Sequence, residues 1–408
     1  MRVQEEIGAG RRNGRAAGAG ESVGQGKRGR GAGLLACLLV ATIMTTIAVP
    51  AGAAGPGWPL WDSYTSYFAD PQGRIIDRDA QDRTTSEAQA YALFFALVAN
   101  DRGRFDQILQ WTEENLAAGD LSQKLPAWLW GRAQDGSWRV LDNNSASDAD
   151  LWMAYTLLQA GRLWKTPRYH ALGLGLARQI AARELVSLPG RGPTLLPGPD
   201  GFRREQVFDC NPSYMTPQLM QGLAAAGAPG PWAAAASGAI KALQASSRKG
   251  FAFDWVEYRQ GKGFQPTAGP TGKEPAGSFD AIRVYLWAGM LPPRWPGQKA
   301  LLETFRPLAA YVRVNGAPPL VVRADGQAQG SGTIGFSAAV IPILQAMGES
   351  ALARLQLERY NAALNPVHRL YGNPPRYYDQ NLILFSEGWR EQRFRFSDRG
   401  LLFVAWSR

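Results

Sequence analysis

From residue 86 onward, apolar residues recur at helical spacing in one segment after another. Ser86 to Asn100 (SEAQAYALFFALVAN) is apolar on nearly every face and rich in Ala, which predicts a buried helix. Phe105 to Leu116 is amphipathic, with Phe105, Ile108, Leu109 and Trp111 on one side. Asp148 to Gln159 is again mostly apolar, and Tyr169 to Leu185 amphipathic. The pattern predicts further helices over 214–226, 231–246, 280–289, 299–313, 336–347 and 352–363. Short strands are expected in the loops, at Ser137 to Val140 and Phe394 to Phe396.

A weak internal repeat accompanies this alternation. Ser86-Glu87-Ala88, Ser147-Asp148-Ala149 and Phe279-Asp280-Ala281 each open a buried helix with an acidic residue in its first turn. About ten to twelve helices in inner and outer pairs imply an all-α toroid. No Ser/Gly/Pro-rich linker interrupts residues 60–408, so one domain is expected over 54–408, with two helical domains the alternative.

The first 53 residues stand apart. Residues 1–33 are Gly-, Ala- and Arg-rich, with seven Lys/Arg against three Asp/Glu. The uncharged run Leu34 to Val49 follows, then Pro50-Ala51-Gly52-Ala53-Ala54. A basic stretch, an apolar stretch and a small-residue site describe a secretory signal peptide over residues 1–53, cleaved after Ala53. An uncleaved anchor is the competing reading, but this run is shorter than the roughly 20 residues a span needs. Export to the periplasm or the exterior is expected. Without residues 1–53, the formal charge falls from +10 to +6. The remaining charges are scattered, and no nucleic-acid partner is expected.

Composition narrows the chemistry. Two His and two Cys in 408 residues leave no material for a zinc cluster or a disulfide framework, so no metal and no cofactor are expected. His170 and His368 neighbour no nucleophile motif, and both read as structural. Acid–base groups must come from the 34 Asp and Glu. A first-turn Glu ordinarily just complements the helix dipole. Behind Glu87, however, the helix is too apolar to lie readily on a surface, so its carboxylate faces a cavity or a partner. There, partial desolvation would raise its pKa. Asp148 and Asp150 open the next buried helix but point in different directions. Asp280 is followed three residues later by Arg283, which is placed to pair with it. Trp128, Trp130, Trp138, Trp152, Tyr214 and Trp255 lie near these acidic helix starts. Each alone reads as core; as a set they suggest a cleft that stacks sugar rings. Paired carboxyls, aromatics and no usable His point to a glycoside hydrolase.

Several segments in order carry a resemblance. They are Trp58-Pro59-Leu60-Trp61, Thr84-Thr85-Ser86-Glu87-Ala88-Gln89-Ala90-Tyr91, Leu125-Pro126-Ala127-Trp128-Leu129-Trp130-Gly131, Asn144 to Ala154, Asn211-Pro212-Ser213-Tyr214, and Phe279 to Tyr285. Over nearly all of 58–406 the chain resembles family 8 of the glycoside hydrolases, most closely the periplasmic endoglucanases of bacterial cellulose-synthesis systems. The resemblance implies an (α/α)6 barrel. It also implies hydrolysis of internal β-1,4-glucosidic bonds with inversion, on cellulose or cello-oligosaccharides, by a monomer working with a cellulose synthase complex. It assigns Glu87 as general acid, Asp280 as general base and Asp148 as the aspartate holding the central sugar. Tyr214, Arg283, Trp128, Trp130, Trp138 and Asp150 are expected to bind substrate. Ala88, Ala92, Thr156 and Phe279 depart from the family pattern; Phe279 replaces a Tyr and loses its hydroxyl. Other β-1,4 polymers (chitosan, xylan, mixed-linkage glucan) and a non-catalytic cellulose-binding role are the competing functions.

Overall fold

A computed structural model describes residues 57–407 except Arg248. The expected signal peptide and its cleavage site lie outside the described residues. Among these residues, thirteen helices alternate between an inner and an outer ring, and the strands are two to five residues long. The inner helices are α2 (Ser86–Val98), α4 (Ser147–Leu163), α6 (Pro217–Ala225), α8 (Ala281–Gly289), α11 (Ile334–Ala346) and α13 (Tyr377–Arg390). The outer layer is α1 (Pro59–Phe68), α3 (Arg102–Leu116), α5 (Pro167–Arg183), α7 (Trp232–Ser246), α9 (Gln298–Thr304) with α10 (Arg306–Asn315), and α12 (Ser350–Asn361). Six inner and six outer units make the (α/α)6 barrel. No helix among the described residues is long and apolar enough to cross a membrane.

The two rings differ as the sequence pattern requires. Twelve of the thirteen residues of α2 are buried, because it packs on all sides; α3 buries only one stripe. Thr85 and Asp101 start these helices by accepting hydrogen bonds from the N–H groups of Ala88 and Arg104. Gly289 allows α8 to press on α11: a Cβ there would sit 2.2 Å from the Ile343 nitrogen. The ring closes where α13 meets α1 and α2, through the Tyr64 hydroxyl donating to Asn381 and the contact of Phe95 with Phe385.

The barrel axis is filled by aromatic rings. Phe385 of α13 lies within about 5 Å of Tyr91, Phe95, Trp152 and Trp287, from α2, α4 and α8. Such pairs add about 0.5–1.5 kcal/mol each beyond burial. Trp152, expected near the cleft, is instead part of this core.

The helix boundaries correct the sequence reading in places. The single helix expected over 299–313 is broken at Phe305, with Pro307 in the first turn of the second piece. The helix expected from Tyr214 begins at Pro217, after a short 3₁₀ turn at Pro212–Tyr214. Helices α1 and α13, which the periodicity did not pick out, complete the two rings.

Candidate active site

The repeated acidic helix starts meet at one end of the barrel. A small sheet positions the first: β1 (Thr84–Thr85) pairs with β2 (Leu129–Arg132), and β2 with β3 (Trp138–Asp142). Trp128 joins two turns through its backbone. Its carbonyl accepts from the N–H of Ser86 at 3.0 Å, and its N–H donates to Asn144 at 2.8 Å. The turn holding Glu87 is thereby fixed to the loop that leads into Asp148. Ser147 anchors that loop on its other side, donating its N–H to Pro197 and its hydroxyl to Leu196.

Arg283 of α8 gathers the carboxylates. Its Nη1 donates to Glu87, to Asp148 at 3.1 Å and to the Tyr91 hydroxyl at 3.2 Å. Its Nη2 donates to Asp280 at 2.8 Å and to the Ser213 hydroxyl at 3.1 Å. The Tyr214 ring lies against the same guanidinium, 5.7 Å away. Arg283 is 2% exposed, while the Glu87 and Asp280 side chains keep 20% and 24% exposure. Glu87 and Asp280 therefore open to the cleft, with the arginine beneath them.

Three carboxylates around one cation leave an excess of negative charge in a desolvated place. Burial foremost pushes Asp148 up to about 7, against the pull of Arg283, and the charge of Glu87 adds to the rise. Burial likewise raises Glu87, with Arg283 opposing and Asp280 reinforcing. A raised Glu87 keeps its proton at a pH where an exposed glutamate would have lost it. Burial would lower Arg283, but the groups around it, Tyr91 and Glu87 first, outweigh burial and hold it charged.

Asp280 is held from two sides. Asn211 donates to its Oδ2 at 3.0 Å. Asp254 Oδ1 accepts the N–H groups of Ser278, Asp280 and Ala281 at 2.8, 3.0 and 2.7 Å, which caps α8. Asp254 itself is pushed up to about 7 by burial and by the nearby Asp280. The sequence reading missed Asp254, because it lies more than twenty residues before the turn it caps. It also missed Tyr378 of α13, whose hydroxyl donates to the Phe279 carbonyl. The Phe279 ring packs on Phe336 and Tyr378.

The aromatic residues divide. Trp130 and Trp138 stack with centroids 5.1 Å apart, and the Arg74 guanidinium lies 4.5 Å and 4.7 Å from the two rings. Trp138 is 43% exposed and lies on the strand joined through β2 to the start of α2. Trp128 is half-buried, and Tyr214 is buried at the arginine. Trp255 is buried and stacked on Phe202. Asp150 corrects an expectation. It has no solvent exposure and its carboxyl faces Glu184, so it is closed off from any molecule in solution. Among the described residues, no group of three or more His, Cys, Asp or Glu is arranged to hold a metal.

The cap at Asp254 carries a test. Asp254→Ala leaves three N–H groups without their acceptor and should lower stability by about 1–3 kcal/mol. Asp254→Asn keeps an acceptor oxygen and should lose less than half as much. Urea midpoints at matched slopes measure both; equal losses in the two variants would contradict the cap.

Comparison with known proteins agrees with this architecture. The model of the glycosyl hydrolases family 8 matches residues 36–392. An endoglucanase of Escherichia coli O157:H7 is 43% identical over 376 residues, covering 92% of this chain and 96% of the relative. An endoglucanase of Escherichia coli strain K12 is 44% identical, covering 86% of this chain and 91% of the relative. The crystal structure of an endo-1,4-D-glucanase from Vibrio fischeri ES114 superposes with a TM-score of 0.80 at 37% identity, covering 86% of this chain and 100% of that one. With its (α/α)6 barrel and its carboxylates gathered on Arg283, this chain belongs to family 8 of the glycosyl hydrolases.

Proposed function

We propose that the protein is an inverting endo-β-1,4-glucanase acting on cellulose or cello-oligosaccharides. The observation that carries this reading is the convergence of Glu87, Asp148 and Asp280 on one buried arginine. Its support from outside the site is the 43–44% identity to proteins named endoglucanase.

In this reading the reaction is a single displacement, which the gathering of the carboxylates supports. Protonated Glu87 donates to the glycosidic oxygen as the bond to C1 breaks. Water attacks C1 from the opposite face, and ionised Asp280 takes the proton that the water loses. Glu87 and Asp280 occupy opposite nitrogens of the Arg283 fork. Inversion requires these two carboxyls to stand roughly 6.5–9.5 Å apart, which leaves room for a water. Asp148 and Tyr214, against the same guanidinium, are placed to hold the distorted sugar in between. Trp130 and Trp138 offer a stacking surface for the chain next to the acid, with Trp128 supporting them.

Secretion to the periplasm through residues 1–53, a catalytic domain over 54–408, a monomeric state and work alongside a cellulose synthase complex belong to the same reading. The basic stretch, apolar run and small-residue site of residues 1–53 support the first, and the resemblance of the quoted segments supports the others. Hydrolysis of chitosan, xylan or mixed-linkage glucan and a purely cellulose-binding role are the outcomes it must exclude.

The mature protein incubated with a soluble cellulose derivative should lower viscosity quickly with few new chain ends. The first product should be the α-anomer; an initial β-anomer would overturn inversion, and unchanged viscosity would overturn the endoglucanase reading. Glu87→Gln should lower kcat by about two to four decades. It should also remove the alkaline limb of kcat/KM, because activity falls as pH rises through the raised pKa of Glu87. Wild-type turnover in that variant would sink the assignment of the acid.

A further inference from the structure

Beneath the cleft floor are two carboxyl groups that the reaction does not use. Asp150 lies two residues beyond Asp148 in the first turn of α4. Glu184 follows the last residue of α5, and its carboxyl is within hydrogen-bond reach of Asp150. Both residues have no solvent exposure. The Ser145 hydroxyl donates to Glu184 Oε1 at 2.6 Å. Neither oxygen of Asp150, nor Glu184 Oε2, receives a hydrogen bond from a protein donor.

Two ionised carboxylates in that position would be adjacent, buried and unpaired, an arrangement a folded protein avoids. One proton between them removes both faults. The pair then carries a single charge, and the acid of one donates to the oxygen of the other. We propose that Asp150 and Glu184 share one proton and act as positioning residues, tying the turn that carries Asp148 to the end of α5.

The charged surroundings agree with this. Asp148, on the same turn as Asp150, adds repulsion to both members of the pair. Arg183, the last residue of α5, opposes it for Glu184. Ser145, in the loop before α4, stabilises the ionised form of Glu184 through its hydrogen bond. Burial outweighs these: it is the first cause holding Asp150 well above the usual carboxylate range and pushing Glu184 up to about 8. The sign follows. With folded-state pKa values raised, the stability from the protonated pair is full below the ordinary carboxylate range. It is lost as pH rises toward and through about 8.

Glu184→Gln and Asp150→Asn each replace the shared proton by a fixed N–H donor. Their Tm should therefore fall less than that of the wild type between about pH 5 and about pH 8. Asp148 is coupled to the pair, so the three proteins are compared in an Asp148→Asn background; Glu87 and Asp254 are not among the groups acting on the pair, and the difference then isolates it. At neutral pH, Asp150→Ala should lower kcat about tenfold with KM little changed, and Asp150→Asn should restore most of it. The kcat arm rests on the placement of Asp148 at the sugar; the Tm arm does not, so the two failures are distinguishable. Parallel Tm curves for wild type and amide variants would overturn the shared proton. Failure of both amide variants to fold would overturn it too, because it would mean that the site requires two carboxylates. An Asp150→Ala kcat equal to wild type would overturn the positioning role.

Discussion

One guanidinium, buried at the end of a ring of helices, touches every carboxylate assigned to the chemistry. Arg283 bonds Glu87 and Asp148 through one nitrogen and Asp280 through the other. A lone charge at that depth would be prohibitively desolvated, and three carboxylates without it would repel one another. The cluster is stable only as a set, and even then it is short of positive charge. Burial is the physical source of the raised pKa values of Glu87 and Asp148; Arg283 opposes it, and the neighbouring carboxylates offset part of that pull. The same buried setting thus keeps a proton on Glu87, the group proposed to donate one.

The barrel serves this arrangement. Four inner-ring aromatics pack around Phe385 in the barrel axis, and one of them is Tyr91, whose hydroxyl receives one of the bonds from Arg283. The arginine rests on packed rings and has little freedom to follow one carboxylate away from the others. The loops add a second constraint. Trp128 joins the turns of Glu87 and Asp148 through its backbone, and Asp254 fixes the turn of Asp280 by accepting three N–H groups.

Much of this was legible in the sequence, for identifiable reasons. Helical periodicity marks α2, α4 and their partners because inner helices are apolar all round and outer ones only on a stripe. The three acidic helix starts were visible because each lies within a short recurring pattern. Hidden from such a reading were interactions between distant segments. Asp254, Glu184 and Tyr378 stand in no pattern of their own, and each acts on a turn far from it in sequence. Asp150 was misjudged because position in a motif does not determine which side of a helix turn faces water. Residues 148 and 150 sit on opposite sides of that question, one at the arginine and one beneath it.

The claim that the arginine and carboxylates form one unit is tested most directly by a double-mutant cycle between Arg283 and Asp148. Arg283→Lys keeps a charge but removes the fork, and Asp148→Asn removes one of the charges that the fork holds. With kcat/KM on a soluble cellulose derivative as the readout, the cycle should give a coupling of at least about 1 kcal/mol, the second change costing much less once the first is made. Effects that add to within about 0.5 kcal/mol would contradict the account.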